Sequence, residues 1–234
     1  MVDNIAGGRL WTTLAAGYVK SEFSMFGKSL DDRARLMDEG LEVIVRALSG
    51  ERFEWRGREI FVRPLPPSGT SQILVGGGVK AAARRAIRNG VGLWTAQSGI
   101  DPKAAELIAY YKEECARLDM APGPIGSVPP VIWVARDIEA EWERIGRYVL
   151  HLVESYASWA SDVGTTSSPF YGMDTVDKIR AAGFISVLTP EQAVELGQTS
   201  PVTLTPLVSG VDPKIGWEML ELFAAEVVPN LPKG

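Results

Sequence analysis

The sequence predicts an α/β fold, and three observations carry that expectation. Strand-like apolar runs alternate with helix-like segments five times along the 234 residues. The composition, 46% hydrophobic and 23% charged, is that of a chain that buries a core. A run of three glycines, Gly76 to Gly78, stands where one strand hands over to a helix. Strict alternation argues for parallel strands joined by right-handed helical crossovers.

The elements follow in order. RLWTTLAAG, residues 9 to 17, is a short β-prone run ending in glycine, followed by the aromatic loop YVKSEFSMFG. A helix comes next: Ser29 and Asp32 have capping-box spacing, Leu36, Leu41, Ile44 and Leu48 recur at roughly helical intervals, and Gly50 stands at its end. ERFEWRGREIFVRPLPP changes period and reads as a hairpin turning at Arg56 and Gly57. The alternation resumes with a strand from Gln72 to Val75, a helix from Lys80 to Asn89 and a strand from Val91 to Gln97. Asp101 and Pro102 then read as cap and first residue of a helix whose apolar face holds Ala104, Ile108, Tyr111, Cys115 and Leu118. A fourth strand, Val131 to Ala135, leads to Asp137 and a long helix through Trp159. Residues 164 to 199 interrupt the rhythm with short helices near 174 to 182 and after Thr189 and Pro190, and Ser167 to Gly172 could form a lid. The last unit is a strand from Val202 to Val208, a turn at Ser209 and Gly210, and a helix from Ile215 to Val228 capped by Asp212.

Composition narrows the function classes. Acidic and basic residues are interspersed around a net charge of −5, so no basic stripe suggests nucleic acid as a partner. A single cysteine, Cys115, and a single histidine, His151, leave no expected disulfide or metal site. With no signal peptide at MVDNIAGGRLW and no apolar stretch of membrane-spanning length, the expected location is the cytoplasm. One histidine leaves few options for imidazole acid/base catalysis, so an enzyme here would be expected to take its chemistry from a cofactor.

The glycines admit several readings. Bare amides at a helix N-terminus make a phosphate site, to which Gly76, Gly77, Gly78 and Val79 would contribute. The same glycines could merely allow a tight strand-to-helix turn. Gly76 to Ala81 also fits a loose dinucleotide fingerprint, which requires an acidic residue at the end of the next strand, where Gln97 stands instead. Other residues have plain roles: packing for Cys115, Trp11, Trp133 and Trp217, a solvated helix face for Arg84 and Arg85, and capping or cofactor orientation for Glu22.

The succession GGRLWTTLAAGYVKSEFSMFG, the RLMDEG helix, FEWRGREIFVRP, ILVGGG, NGVGLWT and the C-terminal LTPLVSGVDPKIGWEMLELFAAEVVPNL resembles the bacterial luciferase-like oxidoreductases over nearly the whole chain. The resemblance implies a single domain, residues 1 to 234, built as a partial (β/α)₈ TIM barrel. Its five parallel βα units would match the family's strands 4 to 8, with the hairpin inserted after the first helix. It also implies reduced FMN or the deazaflavin coenzyme F-420 as cofactor, serving hydride transfer or monooxygenation of a small organic substrate. Gly76, Gly77, Gly78, Val79, Gly17, Tyr18, Trp94 and Thr95 would then hold the cofactor, and His151, Ser209 and Gly210 would lie on the substrate side. The family's first three units have no counterpart here. That implies a start at an internal methionine of a longer protein, pairing of open sheet edges with another chain or a second copy, or a shortened relative that binds without catalysing.

Overall fold

The structure is a computed structural model that describes residues 1–98, 102–162, 170 and 172–232. It divides into two compact units, Met1–Gly17 with Glu22–Val128, and Tyr18–Ser21 with Pro129–Gly234.

In the first unit a short helix α1 (Val2–Ile5) precedes strand β1 (Thr12–Ala15), helix α2 (Lys20–Met25) and helix α3 (Arg33–Leu48). A hairpin, β2 (Phe53–Trp55) and β3 (Arg58–Ile60), turns at Arg56 and Gly57, both in the left-handed region at φ 52° and 72°. Two consecutive left-handed residues are what a two-residue turn matching strand twist demands. Then follow β4 (Ile73–Gly76), α4 (Lys80–Arg88), β5 (Gly92–Ser98), α5 (Pro102–Arg117) and β6 (Ile125–Val128). The sheet runs β1-β4-β5-β6, every pair parallel.

Side chains alternate across this sheet. Ile73, Val75 and Leu93 pack with Leu41 of α3, Ala83 and Ala86 of α4, and Leu107, Tyr111 and Cys115 of α5. The opposite, inner face carries Leu74, Gly76 and Trp94. The Tyr111 hydroxyl donates to the Val91 carbonyl and accepts from the Gly123 amide, each at 2.9 Å, and so ties together the chain entering β5 and the chain entering β6. Burial pushes its phenol above the usual value.

The second unit contains β7 (Val131–Val134), α6 (Ile138–Asp162), α7 (Val176–Ala182), β8 (Ser186–Leu188), α8 (Pro190–Gly197), β9 (Thr203–Leu204) and α9 (Pro213–Leu222). A π-helical turn over Phe223–Val227 continues α9. The sheet order is β8-β7-β9, again all parallel. Ile145, Val149 and Val153 of α6 lie on one helical stripe against Ile132, Trp133 and Val134. The Thr189–Gln192 capping box opens α8, with Pro190 at the first helical position.

Several expectations need correction. The sequence suggested five parallel strands, whereas the described residues hold seven in two sheets. β6 and β8 are four and three residues long, too short to show a period. The first strand shrinks to Thr12–Ala15, because Gly17 adopts φ 74° and the Leu10 amide donates to the Asp3 carboxylate. The last strand ends at Leu204, before Pro206, which has no amide to donate, and before the 3₁₀ turn of Val208–Gly210. Ser29 caps the Asp31 amide instead of pairing reciprocally with Asp32, whose carboxylate is drawn to Arg35 at 3.0 Å. In α5 the buried face is Ala104, Leu107, Tyr111 and Cys115, while Leu118 is exposed. Trp133 is fully buried, but Trp11 and Trp217 are 53% and 63% exposed and do not pack in a core. The cause at Trp217 is its neighbour: Gly216 brings α9 so close to Pro206 that a Cβ there would lie 2.2 Å from the Pro206 carbonyl oxygen, which turns the next residue outward. Arg85 is no solvated residue either, since it pairs with Asp38 of α3 at 2.7 Å with only 16% of its side chain exposed. Arg84 is exposed and Cys115 buried, as expected. Asp101 and most of the 167–172 stretch lie outside the described residues.

Candidate functional site

Lateral partners in a sheet share a face, so register alone assembles one row at the end of the first sheet where strands turn into helices. Ala15 of β1 pairs with Gly76 of β4, Gly76 with Trp94 of β5, and Trp94 with Gly126 of β6. Trp94 is the one bulky side chain in that row.

None of Gly76, Gly77 and Gly78 adopts a left-handed φ, and at Gly76 and Gly77 space rather than backbone handedness favours glycine. A Cβ at Gly76 would come within 3.0 Å of the Thr13 methyl, and one at Gly77 within 2.8 Å of the Ala82 methyl. Gly77 also donates its amide to the Trp94 carbonyl at 3.0 Å. Gly77 therefore serves the tight turn and the packing of α4 onto it. The first turn of α4 is different. Its N-cap is Val79, an extended residue with φ −132° and no side-chain cap, so no side chain covers the opening amides, of which Ala82's donates to the Val79 carbonyl at 2.9 Å. Lys80 begins the helix, its ammonium 4.7 Å above the Tyr110 ring. The arrangement offers main-chain N–H groups, a positive helix terminus and a cation to an anion.

The remaining predicted residues fall as follows. Gly17 is left-handed, with the Phe23 ring 3.2 Å from where its Cβ would stand. Thr95 is fully buried, and Tyr18 is 40% exposed. Glu22 is exposed in the first turn of α2, where an acidic side chain suits the helix dipole. In the second unit His151 is exposed on α6, and its carbonyl accepts from the Ser155 hydroxyl at 2.8 Å. Ser209 holds φ 42° and ψ 44°, a strained conformation for a residue with a side chain, beside left-handed Gly210.

Sequence reasoning missed an ionic network in the second unit, of which Glu141 is the buried member. The Trp133 indole donates to Glu141 at 3.0 Å, and Arg144 bridges Glu141 and Glu218 at 3.0 and 2.7 Å. Glu226, placed by the π-helical turn, pairs with Arg136. Arg136, Glu141, Arg144 and Glu218 rim a cleft of roughly 370 Å³ between the end of β7, α6 and α9. Both arginines are already ion-paired, so the cleft offers no free cation to an anionic ligand. Among the described residues, no cluster of three or more histidine, cysteine or acidic side chains could hold a metal, and no helix is long and apolar enough to cross a membrane.

The family model for luciferase-like monooxygenases matches residues 1–196. The chain belongs to that family. Solved structures agree on the fold. The oxygenating constituent of 3,6-diketocamphane monooxygenase from the CAM plasmid of Pseudomonas putida, a type II Baeyer-Villiger monooxygenase in complex with FMN, is 18% identical at a TM-score of 0.53. That alignment covers 100% of this chain and 74% of that one. EDTA monooxygenase from Chelativorans sp. BNC1 is 14% identical, also at a TM-score of 0.53, with 97% and 75% covered. No curated protein matches. The architecture is accordingly a partial (β/α)₈ fold of the luciferase-like kind, and the dinucleotide reading loses its ground: the acidic residue it needs is absent from the end of β5.

Proposed function

We propose that this luciferase-like family member is a flavin-dependent oxidoreductase that holds reduced FMN, or the deazaflavin coenzyme F-420, at the C-terminal ends of the first sheet's strands. The observation that carries the reading is the uncapped first turn of α4 directly after Gly76–Gly78. The residues there fit a phosphate. The amides of Gly78, Val79 and Lys80 and the Lys80 ammonium would take the anion, while Gly77, whose amide is committed to Trp94, shapes the turn. Trp94 would flank the ring, with Gly17 and Thr95 of the same unit beside it, whereas Tyr18, His151, Ser209 and Gly210 belong to the second unit. The FMN bound by 3,6-diketocamphane monooxygenase makes FMN the first cofactor to test. When bound, the reduced cofactor supplies hydride or activates dioxygen toward a small organic substrate. The protein's own part is to fix the phosphate, orient the ring and exclude water. Residues 1–234 act in this reading as one domain.

Isothermal calorimetry with FMN and with riboflavin, which lacks the phosphate, tests the proposal. FMN is expected to bind at least tenfold tighter than riboflavin, and Gly78→Asp, which sets a negative charge among the amides, to erase that difference. Equal affinity for the two flavins, or no binding of FMN and F-420, refutes it.

A second reading, a non-catalytic cofactor-binding subunit that pairs with a second copy, is favoured by one observation. β1 ends the first sheet with Thr12, Thr13 and Ala15 exposed, and Leu10 to Val19 contains no charged residue or proline to protect that edge. It predicts FMN binding by a dimer without substrate turnover, and a monomer by light scattering speaks against it.

A further inference from the structure

Three side chains on the inner face of the first sheet lean one strand sideways, each over a glycine, and a Cβ at Gly76 would lie 3.0 Å from Thr13 Cγ2. A Cβ at Gly92 would lie 2.7 Å from Leu74 Cδ2. A Cβ at Gly126 would lie 2.3 and 2.6 Å from Trp94 Cε3 and Cζ3. The six-membered ring of the Trp94 indole therefore rests directly on the β6 backbone, in a place it can occupy only while position 126 carries no side chain. Neighbouring strands stand about 4.8 Å apart, so a displaced indole has few directions to take. On the β6 side a methyl group at 126 blocks it. On the other side stand Gly76, the Ala15 methyl and the Thr13 methyl.

We infer that Gly126 is a positioning residue: by lacking a side chain it parks the Trp94 indole over β6 and keeps it off the Gly76 side of the row, where the planar ring of a cofactor would lie. The inference rests on the cofactor reading above and deepens it, because Gly126 touches no phosphate group and acts on the ring alone. The two positions are 32 residues apart and meet only through the β5–β6 register. Gly126 differs from Gly77 in kind. At Gly77 the obstruction is a methyl group of the helix it turns into, whereas at Gly126 it is the far end of a side chain that can move. A substitution at 126 is therefore expected to relocate Trp94 while the sheet survives.

The experiment follows the Trp94 indole N–H resonance, identified by its loss in Trp94→Phe, together with FMN and riboflavin affinities by calorimetry. Gly126→Ala is expected to shift that resonance and to weaken FMN and riboflavin alike by at least tenfold. Trp94→Ala/Gly126→Ala is expected to bind both flavins as Trp94→Ala does. A resonance unmoved by Gly126→Ala overturns the inference, and so does an equal loss of affinity from Gly126→Ala with and without Trp94. If Gly126→Ala fails to fold, folding of the double variant upholds the steric link and its failure overturns it. If the wild-type chain binds neither flavin, the cofactor reading falls by itself, and the resonance still decides whether Gly126 parks Trp94.

Discussion

The hydroxyl of Tyr111 shows how much one buried atom can organise. It donates to Val91 and accepts from Gly123, so a single oxygen closes the polar needs of two chain segments flanking β5 and β6. Removing it leaves a carbonyl and an amide without their partner in a region of low water access, at a cost of about 1–3 kcal/mol. Tyr111→Phe is expected to lower the melting temperature by about 2–10 °C for a chain of this size. An unchanged melting temperature would mean that water replaces the hydroxyl. The glycines teach the same lesson at this scale. Gly77 and Gly126 look alike in sequence, yet one makes room for a helix and the other for an indole.

Helix α1 is a short element held by one side chain. Asp3 is buried, and its carboxylate accepts from the Leu10 amide at 3.1 Å, the Ser68 amide at 3.1 Å and the Ser68 hydroxyl at 2.8 Å. The Ser68 hydroxyl is the main cause that holds this carboxyl below the usual aspartate value. A carboxylate with a depressed folded pKa contributes stability in its ionised form. The contribution is complete above the unfolded value of about 3.9 and is lost as pH falls through the lower folded value. Asp3→Asn is therefore expected to be less stable than wild type at neutral pH, with the gap in urea midpoint closing below about pH 4. A gap that persists unchanged into acid would assign the latch to shape rather than charge. Among elements, the hairpin at Arg56–Gly57, α4 and the start of α8 at Thr189 and Pro190 were legible because turn chemistry and helix starts are local. β6 and β8 were not, since three or four residues carry no periodic signal, although Gly123-Pro124 and Pro129-Pro130 bracket β6 with breakers.

Across the whole molecule, each unit has its own apolar core and its own parallel sheet. The single-domain proposal expects calorimetric unfolding in one transition. A ligand that binds only the folded state adds about 2.7 kcal/mol at a hundredfold excess over its dissociation constant. FMN at that excess should raise the melting temperature by about 5–10 °C if the first unit holds it and unfolding is cooperative. Two transitions, with FMN shifting only one of them, would separate the units instead.

What the sequence by itself determined was the class of the fold, the placement of most helices and turns, and the resemblance that located a phosphate-ready turn at Gly76–Gly78. These depend on period, capping and glycine chemistry, all of which act over a few residues. Only the tertiary structure decided which glycine does what, which tryptophans are buried, that Arg85 is ion-paired, and that Trp94 lies on Gly126. Those facts arise from register and packing between residues far apart in the chain, where the cost of a clash or of an unpaired charge depends on the neighbour that the fold supplies.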